Sequence, residues 1–266
     1  MASRRWVYGS LLSLLISSIA MVGTTARPAK TDSPPALDGV GTRTICQANA
    51  CVAQELTTSK GNDVILLMVR TGSNTTTLTV TDSSGLIFTQ RLSYASREFH
   101  GGMIWEYYAV ASSPLDSDNI TVIPDRCCYT IRGMQVLGIS GADTSTIYDQ
   151  DKSVPSGVSC PSDTCGYCHA DSNTNPGPCS APVKTSGADF VIAATQINDA
   201  PGCGGYQSSP AGYRPPPGFM RISAPNGNFE VDYAITKASS QVEFGCNGTD
   251  ATAIVVDAII ASGSTE

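Results

Sequence analysis

Apolar and polar residues along this chain alternate at strand period rather than helix period. Residues 64–69 (VILLMV) form a short continuous apolar run, the pattern of a strand buried on both faces. Residues 76–81 alternate Thr with Leu78 and Val80, giving one apolar face. Asp82-Ser83-Ser84-Gly85 reads as a turn, and 86–92 as the partner strand of a hairpin. Further strands are predicted at 103–110, 119–123, 129–139, 190–197, 219–222, 229–235, 241–244 and 251–261. No stretch carries a capped amphipathic helix of useful length. The predicted fold class is all-β: an antiparallel β-sandwich, jelly-roll or immunoglobulin-like.

Three segments break the pattern. Residues 1–26 carry Arg4 and Arg5, a short apolar run at 11–22, and small residues at Thr24 and Ala26, which together read as a signal peptide. The competing reading is an uncleaved anchor. Residues 27–60, rich in Pro and Gly at their start, read as an extended arm or, equally, as a linker followed by a first strand. The sandwich is expected over 61–266, with a cysteine-rich insertion at about 142–186 stapled to the surface.

The second half echoes the first. Gly61-Asn62-Asp63 matches Gly187-Ala188-Asp189, each before an apolar strand, and Tyr108-Ala109-Val110 matches Tyr233-Ala234-Ile235. Gly138-Ile139-Ser140-Gly141 is matched to Ile260-Ala261-Ser262-Gly263. Order is kept, as in a diverged internal repeat. Two sandwiches, or two halves of one, both fit. One is favoured, because no linker separates the halves except the cysteine-rich stretch.

Gly61-Asn62-Asp63-Val64, then Val80-Thr81-Asp82-Ser83-Ser84-Gly85 with Phe88-Thr89 after it, resembles β-sandwich domains of exported bacterial and archaeal surface proteins. The resemblance runs over about 61–261 and implies a jelly-roll or immunoglobulin-like fold outside the cell. It carries no catalytic residue, and the many cysteines depart from its pattern.

Composition sharpens the address. Net charge is −7 and charged residues are 15% of the chain, which disfavours nucleic acid and anionic membrane partners. Cys46, Cys51, Cys127, Cys128, Cys160, Cys165, Cys168, Cys179, Cys203 and Cys246 form an even set, read as disulfides in an exported chain. Sequence cannot choose the pairing, although Cys46–Cys51 would close a short local loop. Asn74, Asn119 and Asn247 each head an Asn-X-Thr glycosylation triplet.

Candidate chemistry is sparse. Cys160, Cys165, Cys168, His169 and Cys179 contain zinc-like spacing, with disulfides the preferred reading. Cys165-Gly166-Tyr167-Cys168 lacks the βαβ context of a redox dithiol. Of the two histidines, His100 lies in a polar turn, and no Gly-x-Ser-x-Gly elbow accompanies either. Glu98, Glu106, Asp149 and Asp151 leave a two-carboxylate glycosidase open. Asp116, Asp118 and Asn119 are the calcium candidates, against a solvated acidic turn. Trp105 and Tyr107 share one strand face and Tyr108 the other, so a sugar-stacking platform competes with core packing.

These readings predict a secreted, non-catalytic structural or adhesive protein, including a subunit of a surface filament, matrix or envelope layer. It would have no membrane span after signal cleavage, and would associate with itself or with a cell-surface or glycan partner. A secreted carbohydrate-binding module and a secreted hydrolase are the alternatives.

Overall fold

The computed structural model describes residues 34–45, 52–72, 74–96, 102–125, 131–159, 179–197, 215–223, 229–246 and 251–263, all within one compact unit, Asp32–Glu266. The first half holds β1 (Ala36–Val40), β2 (Thr42–Ile45), β3 (Val52–Leu56), β4 (Asp63–Thr71), β5 (Leu78–Thr81), β6 (Thr89–Ala95), β7 (Met103–Ala111), β8 (Asp118–Pro124) and β9 (Ile131–Ser140). The second holds β10 (Ser156–Ser159), β11 (Cys179–Thr185), β12 (Asp189–Ile197), β13 (Met220–Ser223), β14 (Phe229–Ile235), β15 (Ser240–Cys246) and β16 (Ala251–Ile260). The described residues contain no helix, and so none that could cross a membrane.

All strand pairs are antiparallel. Two five-stranded sheets run β1-β9-β4-β7-β6 and β10-β16-β12-β14-β13. A four-stranded sheet, β2-β3-β8-β5, and a two-stranded one, β11-β15, complete the body. The order β1-β9-β4-β7 opposite β3-β8-β5 is that of a jelly roll. The second half repeats it strand for strand, as far as its strands are described.

Side-chain alternation explains how the sheets stack. On β4, Ile65, Leu67 and Val69 pack with Val52, Leu56, Ile120 and Val122 of the four-stranded sheet. Val64, Leu66 and Met68 point the other way, into Phe190, Ile192, Val231 and Val255 of the second five-stranded sheet. On the far side of that sheet, Val191 and Ala193 meet Ala181, Val183 and Phe244. Four layers therefore enclose three apolar cores, and β4 and β12 are buried at every position. That is why both read as continuous apolar runs rather than alternating ones.

The internal repeat is exact in register. Val64 pairs with Ile139 and Phe190 with Ile259. Irregularities fall at the same places: Arg70/Thr71 and Gln196/Ile197, then Gln90/Leu92 and Arg221/Ser223. Tyr108 and Tyr233 correspond, as expected, because they oppose Leu66 and Ile192. The third sequence match shifts by two residues: Gly138–Gly141 corresponds to Ala258–Ala261, not to 260–263.

Other expectations change as well. Residues 86–92 are not the hairpin partner of β5. β5 pairs with β8, and β6 crosses to the other sheet beside β7. Within the arm at 27–60, β1, β2 and β3 are integral strands. Within the insertion at 142–186, Ala142 and Tyr148 bridge to Ala261 and Ile259, and β10 and β11 join sheets. The single sandwich in two halves gives way to two sandwiches joined face to face.

Candidate functional site

The layer between the five-stranded sheets holds an ionic cluster in otherwise apolar surroundings. Alternation on β7 turns Ile104, Glu106 and Tyr108 toward this layer, while Trp105 and Tyr107 face the first sandwich core. Glu106 is fully buried, as is Asp257 across the layer on β16. Arg91 sits at the irregularity in β6, and its Nε lies 3.0 Å from Asp257 Oδ2. Its guanidinium carbon stands 4.1 Å from the centre of the Tyr148 ring, a cation–π contact. Tyr148 in turn meets Tyr108 edge-on at 5.4 Å.

Burial, and then the charge of Asp257, push the Glu106 carboxyl well above its usual range. Burial likewise lifts Asp257, to about 6, against the pull of Arg91. Burial and then Glu106 raise the Tyr148 hydroxyl. The cluster thus sets a carboxyl that burial drives toward its neutral form, Glu106, beside the Arg91–Asp257 ion pair. Two carboxyls in unlike environments are acid–base chemistry in principle. Both carboxyls are sealed between sheets, however, and Arg91 is the member with solvent contact, its side chain 26% exposed. The Arg91–Asp257 pair ties β6 to β16 across the layer.

A second cluster lies on the opposite face of sheet strand β14. Arg221 Nη2 is 2.9 Å from Glu230 Oε1, and its Nε is 4.0 Å from Asp232 Oδ1. Burial, then the charge of Glu230, raises Asp232 to about 9. Beside the 186–188 turn lies an open groove of about 600 Å³, lined by Pro34, Gly187, Ile235 and Thr236, with Lys237 its charged residue.

The expected site residues scatter. Asp118 accepts from the Ser83 amide at 3.0 Å, the Ser83 hydroxyl at 2.6 Å and the Ser84 hydroxyl at 3.0 Å, so it fastens the 82–85 turn to β8. Asp116 and Asn119 are exposed. No group of three or more His, Cys, Asp or Glu suited to a metal occurs among the described residues. Asp151 caps its own turn through the Ser153 amide, 2.9 Å away. Trp105 and Tyr107 are core residues, and Trp105 Nε1 donates to Thr71 Oγ1 at 2.9 Å. Tyr108 is half-buried between the sheets, which leaves no aromatic platform on β7.

Asn74 and Asn119 are exposed. Cys179 and Cys246 are register partners on β11 and β15, and both are disulfide-bonded. The other eight cysteines, Asn247, Glu98, both histidines and the signal segment lie outside the described residues.

Sequence reasoning singled out Glu106 but missed Arg91, Tyr148 and Asp257. The readable signal was a carboxylate inside an apolar strand, MIWEYYAVA in β7 and ATAIVVDAII in β16. No family model matches the chain, no curated protein matches its sequence, and no solved structure matches its fold.

Proposed function

We propose that this chain is a secreted, non-catalytic structural or adhesive protein, a building unit of a surface filament, matrix or envelope layer. The observation that carries the reading is the use made of its buried charge. Arg91 and Asp257 pair across two sheets, Arg221 pairs with Glu230 on neighbouring strands, and Asp118 fastens a turn. Arg91, Asp257, Arg221, Glu230 and Asp118 are engaged in contacts within and between the layers. Such a four-layer block suits a load-bearing unit better than an enzyme, which keeps reactive groups in reach of solvent. The apolar leader at 11–22, the ten cysteines and the exposed Asn74 and Asn119 support export to the cell surface. Its partners would be further copies of itself or a surface glycan.

Electron microscopy of the purified protein, with light scattering across a concentration series, tests this. Filaments or two-dimensional sheets are expected. Monomers at every concentration, together with no adhesion to cells or glycans, would overturn it.

A further inference from the structure

The repeat duplicates a pair of facing carboxyls. In the first half Asp38 occupies the irregularity in edge strand β1, between Leu37, opposite Ile139, and Gly39, opposite Gly138. A bulge re-aims its side chain off the ladder. In the second half Tyr148 opposes Ile259, and the Asp149 amide bonds the Ala258 carbonyl at 3.0 Å. Because Ile139 and Ile259 correspond, Asp38 and Asp149 hold the same place.

Their surroundings match too. Asp38 accepts from the Ser59 amide at 2.8 Å, the Ser59 hydroxyl at 2.5 Å and the Lys60 amide at 2.7 Å. Asp149 accepts from the Ser186 amide at 2.6 Å, the Ser186 hydroxyl at 2.9 Å and the Asp151 amide at 2.7 Å. Beside these sites Asp63, the first residue of β4, and Asp189, the first residue of β12, are fully buried, and Asp63 Oδ2 comes within 3.7 Å of where a β-carbon on Gly138, the partner of Gly39, would stand. No N–H or O–H donor of the described residues reaches either oxygen of Asp63 or Asp189.

Two carboxyls facing each other need something between them. Asp38 and Asp149 already receive three donors each, the environment of an anion. A proton on Asp63 or Asp189 then makes that residue the donor, and the pair closes. We propose that Asp38–Asp63 and Asp149–Asp189 are two copies of one proton-operated clasp. Each holds an edge segment of a five-stranded sheet to the start of its central strand, and the first copy governs release of the N-terminal strand β1. This holds whether or not the protein assembles as proposed above.

The neighbouring charges agree with the assignment. Burial, then Asp38, raises Asp63 to about 7, with Lys60 the nearby cation that opposes the shift. Burial, then Asp149, raises Asp189 to about 8. Burial alone would raise Asp38 and Asp149, but their hydrogen bonds outweigh it and hold both below the usual range. Beyond the pairs, Asp149 and Lys184 both act on Asp151. Asp149 in turn acts on Asp257, which Arg91 neutralises. No ionisable side chain stands opposite either residue in the ladders: Asp63 faces Ala111 of β7, Asp189 faces Ile260 of β16, and the next pairs on β9 and β14 are Val64–Ile139 and Phe190–Ile235.

Hydrogen exchange of the full chain, corrected for the intrinsic pH dependence of exchange, tests the clasp. Between about pH 4 and the folded-state value, opening of 36–40 should rise about tenfold per pH unit. It should level off above about 7, and that of 142–149 above about 8. Asp63→Asn supplies a donor that cannot ionise, so it should flatten the first profile and leave the second sloping. Asp189→Asn should do the reverse, each variant serving as the other's folding control. Flat wild-type profiles, or a slope that survives its own substitution, would overturn the proposal. So would millimolar calcium restoring protection at about pH 8, since that would make the pairs cation sites instead.

Discussion

Arg91 of β6 and Asp257 of β16 form a 3.0 Å ion pair between the two halves of the repeat. One partner is fully buried and the other reaches solvent, so removing Arg91 strands a buried anion. Arg91→Ala should cost about 3 kcal/mol in denaturant unfolding, the lower end for breaking a buried pair. Arg91→Met with Asp257→Leu should recover most of that loss, because neither charge is then left alone. An Arg91→Ala protein as stable as wild type would show that the ion pair contributes nothing.

Glu106 gives the same layer a pH dependence. Its folded value lies above the unfolded one, so the native state holds a proton that the unfolded chain releases. That contribution is complete below the ordinary glutamate range and is lost as pH rises toward the folded value. Asp63, Asp189 and Asp232, raised to about 7, 8 and 9, act in the same direction. Stability should therefore fall from mildly acidic to mildly alkaline pH. Glu106→Gln cannot ionise. It should match wild type within about 0.5 kcal/mol at acid pH and exceed it at alkaline pH, at unchanged denaturant slope. Parallel wild-type and Glu106→Gln curves would sink the assignment.

The stacking of four layers predicts that adjacent residues on one strand are equally intolerant. Leu66 faces the layer between sandwiches and Leu67 faces the first sandwich core, both with no exposed surface. Leu66→Ala and Leu67→Ala should each cost about 2–5 kcal/mol. In one two-layer sandwich, one of the pair would face solvent and cost little. Paired urea titrations distinguish the two architectures.

Much of this body was legible from pattern alone. Strands β4, β7, β9, β12, β14 and β16 fell where apolar runs or alternation put them, and two of the three repeat matches held. The number of sandwiches was not legible. A strand buried on both faces reads the same whether a helix or a second sheet covers it, so VILLMV could not announce another jelly roll. Edge strand β10 was missed, and β1 stood only as one of two readings of 27–60, for a different reason. Both are short, and their order comes from one neighbour's ladder rather than from apolar content. The clasps were hidden because Asp38 and Asp149 sit in polar turn-like sequence, LDGV and YDQD, where an aspartate is unremarkable. Only the folded chain brings each near a buried second carboxyl, Asp63 or Asp189.

Close approach of the halves depends on two glycines, one from each. Gly133 of β9 faces Phe229 of β14, and a β-carbon there would stand 2.4 Å from that of Phe229. Gly157 of β10 faces Tyr94 of β6, and a β-carbon would stand 2.4 Å from the ring. Neither glycine has the left-handed backbone that only glycine tolerates, so space decides the outcome. At Gly133 the obstruction is the root of a fully buried side chain, which cannot swing aside without moving β14. At Gly157 it is the ring of a half-buried tyrosine, whose χ1 can turn. Gly133→Ala should therefore destabilise by about 1–3 kcal/mol, the usual cost of overpacking, and Gly157→Ala by less. The Gly133→Ala loss should shrink when Phe229→Ala is added, beyond what the two single changes sum to, because the second change removes what the first one strikes. Strict additivity of the pair would mean that Gly133 is required for its backbone rather than for contact between the two sandwiches.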